Sequence, residues 1–344
     1  MKKAVFINYG GIGDEILFLP TIKSLKKTYP DTEITLVLEP RSKSVKDLTT
    51  LIDNIIECDI KSSNKILQVL KLILKLRKGH YDAVISAGAS PLVSLILFLS
   101  GIKKRYGYDT GLLSRILLTK AIKLNKNQYA GNMYHDLVSG VCDLTAELPE
   151  IEIEDSFHTN PNKPAEIFEI PELPEDKKII LIHPGSSKLS KEKNIIKSFS
   201  EWSELIKKLQ DTDKYTVILA GGPDDKEVIE KIIQNIDEKN VLNFFGKTKN
   251  IKHLVKIMKK SDLCICIDSA PMHIAVGLRK KLLAIFGPTD EKKLLPVDDL
   301  FVPITKDVSC RPCLWDKRNE CCENIKCLEI SSDTVFEAIE KALC

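Results

Sequence analysis

Hydrophobic positions in this chain fall into short β-rich runs that alternate with stretches of helical period. Ala4 to Ile7 reads as a strand, then come glycines, then a helix over about 15–29. Ile34 to Leu38 reads as a second strand, 64–78 as an amphipathic helix and Ala83 to Ile85 as a further strand. Strands alternating with helices in this way predict a parallel α/β sheet. The pattern thins between 125 and 170, where Pro161, Pro164, Pro171 and Pro174 punctuate a linker.

Beyond the linker the pattern restarts. Lys178 to Ile182 is a strand that runs into His183, Pro184 and Gly185, and a helix covers about 199–209. Thr216 to Ala220 is a strand before Gly221 and Gly222, with a helix over 225–236. Leu263 to Ile267 ends at Asp268, and Leu282 to Phe286 ends at Gly287, Pro288 and Thr289. A last helix over 332–343 carries Asp333 in its first turn. The expected architecture is α/β: two Rossmann-like domains, 1–165 and 166–344, closed by a C-terminal helix.

Composition narrows the function. The 344 residues suffice for two cores, and 43% apolar with 29% charged residues describes a globular chain. A net charge of +3, from 51 basic and 48 acidic residues, disfavours a nucleic-acid binder. No apolar run approaches the roughly 20 residues of a membrane span, and the N-terminus lacks a signal-peptide pattern. The expected location is the cytoplasm. Lys71, Lys75 and Lys78 recur at helical spacing, and Lys103 to Arg105 follow an apolar run at 92–99. That pattern suits either peripheral contact with the inner face of the membrane or a solvated helix beside a buried one.

In open α/β sheets ligands bind beyond the carboxyl ends of the strands. Every such segment of the second half pairs glycine or another small residue with polar residues. The candidates for donor contact are His183, Ser186 and Ser187 in the first of these loops, and Gly221 and Gly222 in the next. Asp268, Ser269, Ala270 and His273 follow in a third. Glycine lets a ligand approach the backbone, and the following helix offers N–H groups to anions. Lys191 and Lys193, just after the His183 loop, are alternative phosphate ligands.

The first loop carries Gly10, Gly11 and Gly13 and fails the dinucleotide fingerprint, which disfavours an NAD enzyme. Asp14 beside it is either a helix cap or a general base. Asp211 and Asp213 lie at the amino edge of the sheet and read as a turn. Cys58, Cys142, Cys264 and Cys266 read as buried small hydrophobes. Cys310, Cys313, Cys321 and Cys327 have chelating potential for a structural zinc, with Cys322 an alternative to Cys321. Reduced, metal-free cysteines are the other reading.

Five segments resemble one family. Asn8 to Asp14 with Pro20, Ile182 to Ser186, Leu242 to Thr248, Asp268 to His273, and Ala284 to Thr289 stand in the order found in the ADP-heptose–lipopolysaccharide heptosyltransferases, glycosyltransferase family nine. The Cys310 to Leu328 stretch is similar to the cysteine-bearing tail of one subgroup. The resemblance implies a GT-B fold, two Rossmann-like domains facing across a cleft, and inverting, metal-independent transfer. It implies that Asp14 is the base, that Lys191 or Lys193 contacts phosphate, and that Asp268, Ser269 and His273 hold the donor, with Gly13 also near it. The expected donor is ADP-heptose and the expected acceptor a lipid-linked core saccharide. Another nucleotide sugar, or a nucleotide-sugar epimerase, is the alternative. The chain departs from the family in having Ala270 for a glycine, and in lacking Trp and Pro after Lys191.

Overall fold

The computed structural model describes residues 1–60, 64–153, 168–187, 197–313 and 325–344. The chain divides into two compact units, Met1–Glu152 and Ile153–Cys344. The expected boundary at 165 falls in the stretch 154–167, outside the described residues.

Unit 1 is a six-stranded parallel sheet. Its strands are β1 (Lys3–Ile7), β2 (Glu33–Leu38), β3 (Asn54–Glu57), β4 (Ala83–Ser86), β5 (Lys104–Tyr108) and β6 (Lys120–Ile122). They lie in the order β3-β2-β1-β4-β5-β6. The helices are α1 (Ile12–Thr28), α2 (Lys65–Gly79), α3 (Pro91–Leu99), α4 (Leu112–Leu117) and α5 (Ala130–His135). β1 and β4 pair at the centre with Val5 opposite Val84, and both are buried. Covered on both faces, such strands are continuous apolar runs rather than alternating ones.

Unit 2 repeats the plan. Its strands are β7 (Lys178–His183), β8 (Tyr215–Leu219), β9 (Val241–Asn243), β10 (Leu263–Ile267), β11 (Leu282–Phe286) and β12 (Phe301–Thr305). Their order is β12-β11-β10-β7-β8-β9, the same topology as in unit 1. The helices are α6 (Trp202–Asp211), α7 (Lys226–Ile233), α8 (Ile251–Lys260), α9 (Ala270–Gly277), α10 (Glu291–Leu294) and α11 (Ser332–Leu343). Ile180, Ile182, Trp202, Leu205 and Val335 belong to one core under this sheet.

Several boundaries differ from expectation for physical reasons. α1 begins three residues early, at Ile12, because Gly11 caps it in extended conformation, and it continues through Pro20. α7 ends at Ile233 rather than near 236, and Asn235 donates its side-chain amide to the Lys231 carbonyl at 2.7 Å. α11 begins as expected, with the Ser331 side chain accepting from the Thr334 amide.

Candidate active site

In each sheet the strand order reverses between the two central strands: β1 and β4 in unit 1, β7 and β10 in unit 2. Chain crossing away on both sides leaves a crevice at the carboxyl ends of that pair. The candidate residues cluster at those two places.

In unit 1, β1 runs into Asn8 to Gly11 and α1 starts at once. Asp14 is the third residue of α1, and its Oδ2 accepts the Gly11 amide at 2.8 Å. That is the helix-to-cap half of a capping box. Its Oδ1 accepts from the Tyr134 hydroxyl at 3.3 Å. So Asp14 both caps the helix and keeps a carboxylate, half-buried, beside the loop. A Cβ on Gly10 would lie 2.2 Å from the Asp14 Cβ, so this approach needs glycine. The Asp14 carboxylate and the Arg41 guanidinium both stand within 4 Å of the place a Gly11 Cβ would take. Tyr134 is held edge-on to Phe18 at 5.5 Å. Burial, then the Asp14 charge, pushes its phenol well above the ordinary range, so it remains a hydrogen-bond donor. Glu15, the next residue, is wholly buried. Burial and then the Asp14 charge push its carboxyl well up. Gly13 lies in the first turn of α1, in unit 1, whereas the other donor candidates lie in unit 2.

In unit 2, His183 ends β7 opposite Cys266 of β10. Its Nε2 is 3.7 Å from Asp225 Oδ2, and that carboxylate accepts the Gly222 amide at 2.8 Å. Burial pulls the His183 imidazole down more than Asp225 raises it, so it is neutral at pH 7. Cβ atoms on Gly185 and Gly221 would come within 1.8 and 3.0 Å of Asp225 atoms. These glycines wrap a carboxylate that the sequence reading passed over. Ser186 is buried and Ser187 exposed in the same loop.

Asp268 follows β10 and is 4% exposed. The Lys197 ammonium lies 2.6 Å from its Oδ2. Burial would raise this carboxyl, but the adjacent Lys197 ammonium outweighs it, with His273 adding to that effect. The group sits below the usual carboxylate range. Ser269 caps α9, with its hydroxyl donating to the Ile267 carbonyl at 3.1 Å. Ala270 opens the helix and His273, buried, stands in its first turn. Lys191 and Lys193 lie outside the described residues. Among the described residues, Lys197, further along the same segment, is a lysine at the site.

The loop after β11 completes this group. Arg311 donates to the carbonyls of Gly287 at 2.8 Å and Thr289 at 3.1 Å, and to Glu291 at 2.9 Å. The Cys313 amide donates to the Pro288 carbonyl at 2.9 Å. Arg311 and Cys313 are thus seated on the loop that carries Thr289. Cys310 is exposed, Cys313 half-buried and Cys327 buried, while Cys321 and Cys322 lie outside the described residues. Among the described residues, no three His, Cys, Asp or Glu side chains are grouped to hold a metal. Cys58, Cys142, Cys264 and Cys266 are buried, as expected of small apolar residues.

Each unit by itself thus gathers polar groups at its switch point: a half-buried carboxylate in unit 1, and in unit 2 a helix start with a lysine–aspartate pair and a histidine. Comparison with known proteins agrees. The family model of glycosyltransferase family 9 (heptosyltransferase) matches residues 69–323. Lipopolysaccharide heptosyltransferase 1 of Campylobacter coli is 26% identical over 301 residues, covering 83% of this chain and 84% of that protein. The structure of Escherichia coli ADP-heptose lipopolysaccharide heptosyltransferase II superposes with a TM-score of 0.75 at 20% identity, covering 100% of this chain and 98% of that one. E. coli heptosyltransferase WaaC, solved with ADP, gives a TM-score of 0.69 at 15% identity, covering 99% of each. With the doubly wound α/β units of a GT-B transferase and a match over most of its length, the chain belongs to glycosyltransferase family 9, the heptosyltransferases.

Proposed function

We propose that the chain moves a heptose from ADP-heptose to a lipopolysaccharide inner-core saccharide, with inversion and with no metal in the chemical step. The observation that carries this reading is the group at the switch point of unit 2, where Asp268 with Lys197, Ser269 and His273 surround the start of α9. Helix N–H groups favour a diphosphate there.

In this scheme Asp14 accepts the proton of the acceptor hydroxyl as its oxygen attacks the anomeric carbon. The bond from that carbon to the diphosphate oxygen breaks, and the electron pair leaves with ADP. Developing charge on the diphosphate is met by the amides at Ser269 and Ala270, by His273 and by lysine from the 191–197 segment. Tyr134 keeps Asp14 oriented by donating to the oxygen that Gly11 does not use. His183 with Asp225, and Gly221 with Gly222, shape the neighbouring wall.

The test is direct. Purified protein is incubated with ADP-heptose, alone and with a core-saccharide acceptor, and the products are read by mass spectrometry. A heptosylated acceptor and free ADP are expected. Isomerised donor without acceptor would replace transfer by epimerisation, and turnover of a different nucleotide sugar alone would change the donor. A structural zinc on Cys310, Cys313, Cys321 and Cys327 is a separate proposal. The described cysteines do not draw together by themselves. Less than about a tenth of an equivalent of zinc or iron in protein purified without chelator rejects it.

A further inference from the structure

Single exposed aliphatic side chains are ordinary on protein surfaces. Here they are concentrated. Among the described residues, eleven of the fourteen exposed large hydrophobic side chains lie on α2, α3 and α4 of unit 1. On α2, Ile66, Leu70 and Leu74 recur at i, i+4 and i+8 and are 80%, 52% and 56% exposed. They form one stripe. Leu72, Ile73 and Leu76 on the opposite side already fix the helix to the sheet. The outer stripe is therefore not needed for folding. α3 contains no charged residue, and Leu92, Leu95, Phe98 and Leu99 face outward from it. α4 adds Leu112, Leu113 and Ile116, the first 74% exposed.

The three helices form one surface. α2 packs on α3 and α3 on α4. Arg77 of α2 donates to the Leu99 carbonyl at 2.8 Å, and Arg105 donates to the Leu117 carbonyl at 2.7 Å while lying 5.5 Å from the Phe98 ring. Charge on this region is one-sided. Residues 65–126 hold twelve Lys and Arg against two Asp and no Glu, a net +10 in a chain of net +3. Both aspartates are engaged: Asp109 with Arg115 at 2.7 Å, Asp82 with the amides of Lys2 and Lys3. Lys71, Lys75 and Lys78 are exposed along one side of the α2 stripe.

We infer that α2, α3 and α4 form a docking face for an anionic lipid bilayer. Aliphatic side chains enter the acyl boundary while lysines reach the phosphates. The composition favours lipid over a protein partner. Protein interfaces are enriched in Tyr and Trp and depleted in Lys, whereas this face is Leu, Ile and Lys with Phe98 its one outward aromatic ring. No helix among the described residues is long and apolar enough to cross a membrane, so the contact is a surface one. The inference deepens the reading of a lipid-linked acceptor, and its purpose rests on that reading.

The test is co-sedimentation of the full chain with phosphatidylcholine vesicles, with and without about a third phosphatidylglycerol. Binding to the anionic vesicles is expected, weakening as salt rises. Lys71→Gln, Lys75→Gln and Lys78→Gln together should weaken it on the order of 100-fold. Leu70→Asp with Leu112→Asp should weaken it about tenfold or more, with an unchanged melting temperature. Both variants should keep full transfer to a deacylated, water-soluble acceptor and lose transfer to acceptor embedded in vesicles. Absence of vesicle binding at low salt, or wild-type binding by the variants, overturns the inference. So does a wild-type dimer that Leu112→Asp dissolves, since a second copy then covers the face. If vesicle binding follows expectation but no acceptor is glycosylated, the proposed function fails and the lipid face stands.

Discussion

At the scale of single residues, two adjacent carboxyl groups at the start of α1 have opposite environments. Asp14 is half-buried and takes two hydrogen bonds, from Gly11 and Tyr134, whereas Glu15 is enclosed. Asp14→Asn keeps the shape of the cap but cannot accept a proton. It should lower the transfer rate by about 100-fold or more while ADP affinity is unchanged. A variant retaining more than about a tenth of the rate would remove Asp14 as base. Glu15 gives a stability prediction. Its folded carboxyl titrates above the unfolded one, so the folded state holds a proton that the unfolded state loses once pH rises past about 4.3. Stability is therefore full in acid and falls as pH rises toward the folded value. Glu15→Gln abolishes that loss. It should raise the melting temperature of unit 1 at pH 8 by about 2 °C or more, with the gain vanishing near pH 4. An equal effect at both pH values would show that the side chain is not held neutral. Of the candidate site residues, Asp14, Asp268 and His273 were legible because each lies at a strand end or in the first turn of the helix that follows it, beside small residues. Tyr134, Asp225, Lys197 and Arg311 were not, because each reaches the site by folding rather than by position in a motif.

At the scale of elements, periodicity reported existence better than extent. The interior strands β10 and β11 match the expected ranges to the residue, because buried parallel strands are bounded by the loops that carry chemistry. Five strands escape periodicity: β3, β6 and β9 are three or four residues long and partly polar, β5 opens on Lys104 and Arg105 and contains Gly107, and β12 contains Pro303. The run at 92–99 shows what periodicity leaves open. Its apolarity fits a buried helix, yet α3 buries only Ser94 and Leu97 fully, and Arg77 and Arg105 tie it to its neighbours. The loop after β11 is likewise shaped by a distant segment. Arg311 is 9% exposed at its side chain and bonds two carbonyls and Glu291 together. Arg311→Ala would leave these groups without a cation and loosen the loop that carries Thr289. ADP affinity should fall about tenfold with the transfer rate at saturation little changed. Arg311→Lys should rescue poorly, since an ammonium cannot serve three acceptors in a fork. An affinity equal to wild type in Arg311→Ala would mean that the loop stands without its clamp.

At the scale of the whole molecule, the same strand order occurs twice, with separate cores under separate sheets. The alternation of strands and helices made the two Rossmann-like halves legible. The order within each sheet was not, since which strands neighbour each other depends on crossovers that leave no local mark. Two cores that each bury their own apolar strands should unfold as two cooperative transitions rather than one. The proposed donor groups Asp268, Lys197, Ser269 and His273 all belong to unit 2, whereas Asp14 belongs to unit 1. A ligand that binds only one native unit stabilises that unit by mass action, about 2.7 kcal/mol at a concentration 100 times its dissociation constant. For a domain of this size that corresponds to roughly 5–10 °C. Scanning calorimetry with ADP should therefore move one transition by that amount and leave the other in place. Asp14→Asn should leave the shift unaltered, and Asp268→Asn should shrink it. A shift of both transitions together would tie their unfolding into one event, and a shift that survives Asp268→Asn would place the nucleotide elsewhere.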